Sequence, residues 1–320
     1  MIQHKPTPEH GLASLQILEN SMRYSSALAQ GAHTISVDGV AQAYHVAGFG
    51  PVCVVHPGGP GGDWRYMRMP LLEDRLTMVY LEPIGTGGSG RLPEHPAGYS
   101  IDRYSRQLHG FLSALDLTDI FLLGHSHGGF VAQRYALDHP DRIAGLILYA
   151  TSAVTGPAFI EAADLALRQT VAGYSEPEHS AAVLRAWQTV PAICDDLRYT
   201  ETMRGLLPVY FADPGRDVKV MEALREALRF SFVQGDNAPF DVRAELPLLT
   251  VPTLILAGAH DFICGLHWAA ILNDAISRSL LLSFGKSGHF IHIEQAGDFA
   301  EAVVRFSTRK SGSPAVLETL

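Results

Sequence analysis

Two hydrophobic rhythms alternate along the chain. Short continuous apolar runs at residues 52–56, 76–81, 120–123, 143–150, 253–257 and 279–284 read as strands buried on both faces. Between them lie stretches with apolar positions three and four apart, such as 101, 104, 108, 111, 112 and 115 within residues 99–115, which predict helices. Further helices are expected at 63–72, after 126 to about 138, at 266–276 and from 293 to 306. Ahead of this pattern, residues 33–38 and 41–47 flank Asp38-Gly39 and predict a hairpin with a tight turn. Residues 11–30 could form a helix with Leu12, Leu15, Leu18 and Met22 on one face, after a loose polar arm at 1–10.

Strand, helix, strand, helix, strand implies an α/β protein with a mostly parallel twisted sheet and helices on both faces. The rhythm breaks between about Thr151 and Pro247, where the chain is rich in Ala, Leu and Arg and carries helical pattern (159–172, 179–190, 218–232) with little strand signal. This reads as a helical cap inserted before the last two strands. The expected organisation is an N-terminal arm and helix at 1–30, a core from 31–151 and 248–308, a cap at 152–247 and a flexible tail at 309–320.

Candidate chemistry sits where strands give way to helices, the sheet edge at which such folds place their sites. The strand at 120–123 runs into Gly124-His-Ser126-His-Gly128 and then a helix, which fits the strand–turn–helix nucleophile elbow. A serine forced into so tight a turn crowds the positions two before and two after it, where glycines stand. A serine hydroxyl needs a base, usually an imidazole oriented by a carboxylate. Asp261 follows the strand at 253–257 and His289 follows the last strand, in the order Ser, acid, His; Asp274 and His292 are the alternatives. Upstream, Pro57-Gly58-Gly59-Pro60-Gly61-Gly62 follows a strand without the Gly-Lys-Ser/Thr of a phosphate loop, and reads as an oxyanion loop. His127 would supply its backbone N–H, with Gly58 or Gly59 as the second donor. His125 and His127 diverge on the turn, so no metal is expected. Trp64, Tyr66, Tyr210 and Phe211 are candidates for lining the substrate pocket, and Cys264 is expected to be a packed small residue.

Composition narrows the class. The 320 residues are 47% hydrophobic and 18% charged, with a formal net charge of −9, which argues against nucleic acid or an anionic membrane as partner. Three separated cysteines, no signal pattern and no membrane-length apolar run make a cytoplasmic protein acting on a small molecule or short peptide, without cofactor, the expectation.

These motifs together resemble the α/β-hydrolase fold, and within it the proline iminopeptidase (prolyl aminopeptidase) family, over about residues 35–308. The resemblance rests on Pro57-Gly-Gly-Pro-Gly-Gly62, Gly-His-Ser126-His-Gly, Gly-Ala-His-Asp261 and Gly-His289. It implies a Ser126–His289–Asp261 triad, an acyl-enzyme, and oxyanion donors at Gly59 and His127. Departures from the family follow. Pro57 stands where the family has His, with His56 displaced by one. The loop Glu82-Pro-Ile-Gly-Thr-Gly-Gly-Ser89 lacks the family's Arg, and the family's Trp-Glu pair in the cap, which would hold a substrate ammonium, is matched by Trp187-Gln188. Glu201, Glu222 and Glu226 are the cap acids that could substitute. The expected reaction is hydrolysis of an ester, lactone or amide, with cleavage at an N-terminal proline competing with ester or lactone hydrolysis; a cap without that carboxylate favours a neutral substrate, and the same fold could instead cleave a carbon–carbon bond in a diketone. A non-catalytic small-molecule receptor on the same scaffold is the alternative of a different class.

Overall fold

The computed structural model describes residues 27–308 apart from 217, 236 and 237; most of the expected N-terminal helix, the polar arm and the whole tail lie outside the described residues. Eight strands form one sheet: β1 (Gly31–Val37), β2 (Val40–Ala47), β3 (Val52–His56), β4 (Thr77–Leu81), β5 (Ile120–His125), β6 (Ile143–Tyr149), β7 (Thr253–Gly258) and β8 (Ser279–Phe284). Their order is β1-β2-β4-β3-β5-β6-β7-β8, with β2 antiparallel to both neighbours and all pairs from β4 to β8 parallel. Asp38 and Gly39 turn the first hairpin with φ of 51° and 78°, the double positive φ that suits the strand twist.

The continuous apolar runs have a simple cause: both sheet faces are covered. Val54, Leu122, Leu146 and Leu148 face one core, packed on helices α2 (Ile101–Ala114) and α3 (His127–Asp138). Their chain neighbours Val55, Leu123 and Ile147 face a second core, which the insertion and the C-terminal helix also enter. Alternate side chains point to opposite faces, so every position must be apolar.

Several expected helices have different bounds. Residues 63–72 divide into a 3₁₀ turn (Trp64–Met67) and α1 (Pro70–Glu73), because Pro70 can only begin a helix. Between β6 and β7 come α4 (Pro157–Ala172), α5 (Pro177–Thr189), α6 (Asp196–Leu206) and α7 (Val218–Ala227), a helical cap of four helices where three were expected. The last of these stops five residues early. Its continuation turns extended so that Ser231 donates its N–H to the Gly61 carbonyl at 2.8 Å and Phe230 bridges to Gly62. After α8 (Leu266–Ala275) and β8, the final helix is broken at Gln295 into α9 (Ile291–Glu294) and α10 (Ala296–Ser307).

The sheet order places a crevice. Strand β3 is hydrogen-bonded to β4 on one side and to β5 on the other, so the connections leaving the carboxyl ends of β3 and β5 diverge. The glycine-rich loop and Ser126 stand at that divergence, beneath the helical insertion.

Candidate active site

Ser126 is the N-cap of α3 and holds φ 53° and ψ −119°, a conformation costly for a side-chain-bearing residue. Its N–H donates to the Tyr149 carbonyl at 2.9 Å, and its carbonyl accepts from Gly129 N–H at 2.8 Å and from the Thr151 hydroxyl at 2.9 Å. The flanking glycines are demanded by space. A Cβ on Gly124 would stand 2.3 Å from the Gly128 carbonyl oxygen, and one on Gly128 would stand 2.2 Å from that of His56.

Asp261 and His289 meet after β7 and β8. His289 Nδ1 donates to Asp261 Oδ2 at 2.7 Å, and the Asp261 side chain has no exposure. Asp261 Oδ1 accepts the N–H groups of Ile263 and Cys264, both at 3.0 Å, which fixes the orientation of the carboxylate. With Nδ1 protonated, Nε2 is the basic nitrogen of His289. The backbone N–H of His289 donates to the Tyr210 carbonyl at 2.7 Å, so the helical insertion fixes the loop that carries it.

A second set of contacts ties the glycine-rich loop after β3 to these residues. Gly58 N–H donates to the Tyr66 hydroxyl at 2.6 Å, and that hydroxyl lies 2.8 Å from His125 Nδ1. His125 Nε2 lies 3.2 Å from the His289 carbonyl. One proton arrangement satisfies every partner: Tyr66 donates to Nδ1 and Nε2–H donates to the carbonyl, which makes His125 neutral. Burial, and then the neighbouring His289 and His292, push its pKa well below the ordinary imidazole value. His292, the alternative base, faces Tyr149 at 2.8 Å through Nδ1 and the Tyr66 carbonyl at 2.8 Å through Nε2. Burial lowers its pKa to about 4, and both ring nitrogens are engaged. His127 packs against Tyr104 and Phe130, away from His125. Gly58 N–H is taken by Tyr66, whereas Gly59 and His127 both border the large cleft, and His127 lies in the first turn of α3, where helical amides have no intrahelical partner.

Two clefts open on Ser126. A small one of about 40 Å³ is bounded by Gly58, Tyr66, His125, Leu207, Leu228, Phe230, His289 and Phe290. A large one of about 500 Å³ is walled mainly by apolar side chains of the insertion and core, among them Phe130, Phe159, Ile160, Trp187, Leu206 and Phe240, with His127 on its wall. Gly59, Ser126, Met203 and Tyr210 border both and form the neck between them. Among the described residues, neither lining contains Asp, Glu, Lys or Arg.

Of the residues expected to touch substrate, Gly58, Tyr66, Trp187 and Tyr210 line these clefts. Trp64, Phe211 and Glu201 line neither and are corrected. Trp64 stacks on His45 at 3.9 Å, Phe211 is buried against Phe290, and Glu201 is exposed on α6. The cap carboxylate that approaches Trp187 is Asp164 on α4. It accepts the Trp187 indole N–H at 2.9 Å and is paired with Arg168 at 2.8 Å. The glycine-rich loop after β4 folds onto its own first residue: the buried Glu82 carboxylate accepts from Gly88 N–H and pairs with His45. His125 was legible only as a flanking residue, and its partner Tyr66 lies 59 positions away.

A family profile for the α/β hydrolase fold matches residues 51–182. The chain is 28% identical to the 2-hydroxymuconate semialdehyde hydrolase of Pseudomonas sp. (strain CF600), over 84% of this chain and 90% of the relative. It is 24% identical to a proline iminopeptidase of Saccharolobus solfataricus, over 82% and 86%. Among solved structures, an α/β fold family hydrolase from Bacillus anthracis str. Sterne superposes with a TM-score of 0.67 at 18% identity, over 86% of this chain and 98% of that one.

Proposed function

From the premise that the chain is a hydrolase of the α/β-hydrolase fold, we propose that it is a serine hydrolase that cleaves an uncharged, largely apolar ester or related acyl compound through Ser126, His289 and Asp261. His289 Nε2 takes the Ser126 proton as Oγ attacks the carbonyl carbon. The N–H groups of Gly59 and His127 receive the oxyanion, assisted by the positive end of α3. His289 then gives its proton to the leaving oxygen as the C–O bond breaks. Water, deprotonated by the same nitrogen, releases the acid from Ser126.

The observation that carries this reading is the buried Asp261–His289 pair at 2.7 Å, with His289 in the wall of a cleft that Ser126 also lines. The linings, uncharged among the described residues, favour a neutral substrate. No described lining residue offers an N-terminal ammonium a carboxylate, and Asp164 nearby is already held by Arg168 and Trp187. A second reading, hydrolysis of a carbon–carbon bond beside a ketone, is favoured by the likeness to a 2-hydroxymuconate semialdehyde hydrolase along 84% of the chain. A muconate is a carboxylate, however, and no described residue lining either cleft offers it a Lys or Arg.

The test compares wild type with Ser126→Ala, using labelling by a fluorophosphonate and turnover of a panel of short-chain esters and a vinylogous diketone. The expected result is labelling of wild type alone and a loss of turnover of about 10⁴-fold or more in the variant. Unchanged turnover in Ser126→Ala would sink the proposal. Cleavage of the diketone with esters untouched would move it to the second reading.

A further inference from the structure

The two clefts differ in size and in which catalytic group they contain, and that difference assigns the two halves of the substrate. The assignment rests on the serine-hydrolase reading above. In the tetrahedral intermediate on Ser126, the leaving oxygen must lie within hydrogen-bond reach of His289, because that imidazole delivers the proton that lets the C–O bond break. His289 lines the small cleft and not the large one. The oxyanion donor His127 lines the large cleft and not the small one. With the carbonyl carbon at the neck formed by Gly59, Ser126, Met203 and Tyr210, the leaving group therefore points into the small cleft and the acyl group into the large one.

Volume then sets the substrate class. A water-sized position needs about 10–15 Å³ on this measure, so the roughly 40 Å³ beside His289 takes two to four non-hydrogen atoms. The walls that close it are Leu207, Leu228, Phe230 and Phe290, all buried. The roughly 500 Å³ of the other cleft, walled by Phe159, Trp187 and Phe240, suits an extended alkyl or ring-bearing acyl group, whose burial drives binding. We propose that the enzyme is specific for esters of a bulky apolar acid with a one- or two-carbon alcohol, and that Leu207 and Leu228 set the limit on the alcohol.

The experiment measures kcat/KM for two ester series in which the chemical reactivity of the carbonyl hardly changes. In the first, octanoate is esterified with methanol, ethanol, butanol and octanol. In the second, methanol is esterified with acetic, butyric, octanoic and decanoic acids. The expected result is a fall of about tenfold or more from methyl to butyl octanoate and a rise of about tenfold or more from methyl acetate to methyl octanoate, the scale at which apolar pockets discriminate chain length. Leu228→Ala, or Leu207→Ala, is expected to raise butyl octanoate relative to methyl octanoate without changing the acid series. Ile160, half-exposed at the rim of the large cleft, provides the converse variant: Ile160→Trp is expected to penalise the longer acids, octanoate esters as a group included, and to leave the ratio of butyl to methyl octanoate unchanged. A flat alcohol series, or a preference for long alcohols on acetate, overturns the assignment and leaves the hydrolase reading standing. Fluorophosphonate labelling of Ser126 without turnover of either series also overturns the assignment. Absence of both labelling and turnover overturns the hydrolase reading, and the assignment with it.

Discussion

One oxygen, the Tyr66 hydroxyl, accepts the Gly58 N–H at 2.6 Å and donates to His125 at 2.8 Å, so its removal strands two buried polar groups together. Each such group costs about 1–3 kcal/mol when left without a partner. Tyr66→Phe is therefore expected to lower stability by about 2–5 kcal/mol, read as a fall in the denaturant midpoint. It also frees the Gly58 amide, which lets the oxyanion loop shift, so kcat on a good ester is expected to fall about tenfold or more with KM little changed. A drop in stability with full retention of kcat would assign Tyr66 to packing alone. The sequence points to Ser126, Asp261 and His289 because each follows a strand in a fixed order, and the structure brings His289 within 2.7 Å of Asp261 and into one cleft wall with Ser126. Tyr66 and His125 were not readable as a pair: nothing local marks a hydrogen bond between residues brought together by the divergence of the β3 and β5 connections.

At the level of elements, strands were legible because covering both sheet faces leaves continuous apolar runs. Helix ends were legible only where a local signal rules, as at Pro70. Helix α6 was missed because Asp196–Leu206 carries charged and polar residues at Arg198, Thr200, Glu201 and Thr202 with no clean apolar stripe. Tertiary contact, with Thr200 bonded to the Phe230 backbone at 3.0 Å and Tyr199 to the Pro60 carbonyl at 2.9 Å, accompanies its packing. The break at Gln295 has a visible consequence. It ends α9 at Glu294, whose buried carboxylate accepts Ala212 N–H from the insertion and Gly288 N–H from the loop before His289, both at 2.7 Å, with Arg216 at 3.6 Å. Glu294 thus clamps the insertion to the loop carrying the base. Hydrogen bonds to a charged group contribute about 1.5–3 kcal/mol each, so Glu294→Ala is expected to cost about 3–5 kcal/mol and to lower kcat together with thermal stability. Glu294→Gln, which keeps one carbonyl acceptor, is expected to fall between Glu294→Ala and wild type in both thermal unfolding and turnover.

Across the whole molecule, the buried histidines set how stability responds to acid. His56 at the end of β3 and His292 in α9 are each held at about 4, chiefly by burial, and His125 is held well below the ordinary value for the same reason. His127 is lowered to about 3 by burial and by His56, but it is partly open to the large cleft and counts for less. In the unfolded chain these imidazoles titrate near 6.5. Between pH 6.5 and about 4 the unfolded state therefore binds protons that the folded state refuses, and stability must fall as pH falls through that window. His56 and His292 alone give a slope of about 3 kcal/mol per pH unit, against a total stability of about 5–15 kcal/mol. Net charge pulls the other way. The chain carries −9 at neutral pH and has a pI near 5.9, so if self-repulsion ruled, stability would peak close to that pH. The histidine slope is larger than exposed charges supply at ordinary salt. Tm is accordingly expected to be highest above pH 7, to be already falling at pH 6, and to collapse near pH 5. Replacing His292 by Asn, which cannot take up a proton when the chain unfolds, should flatten the fall by about 1.4 kcal/mol per pH unit, and a stability maximum at pH 6 in wild type would show that net charge governs instead.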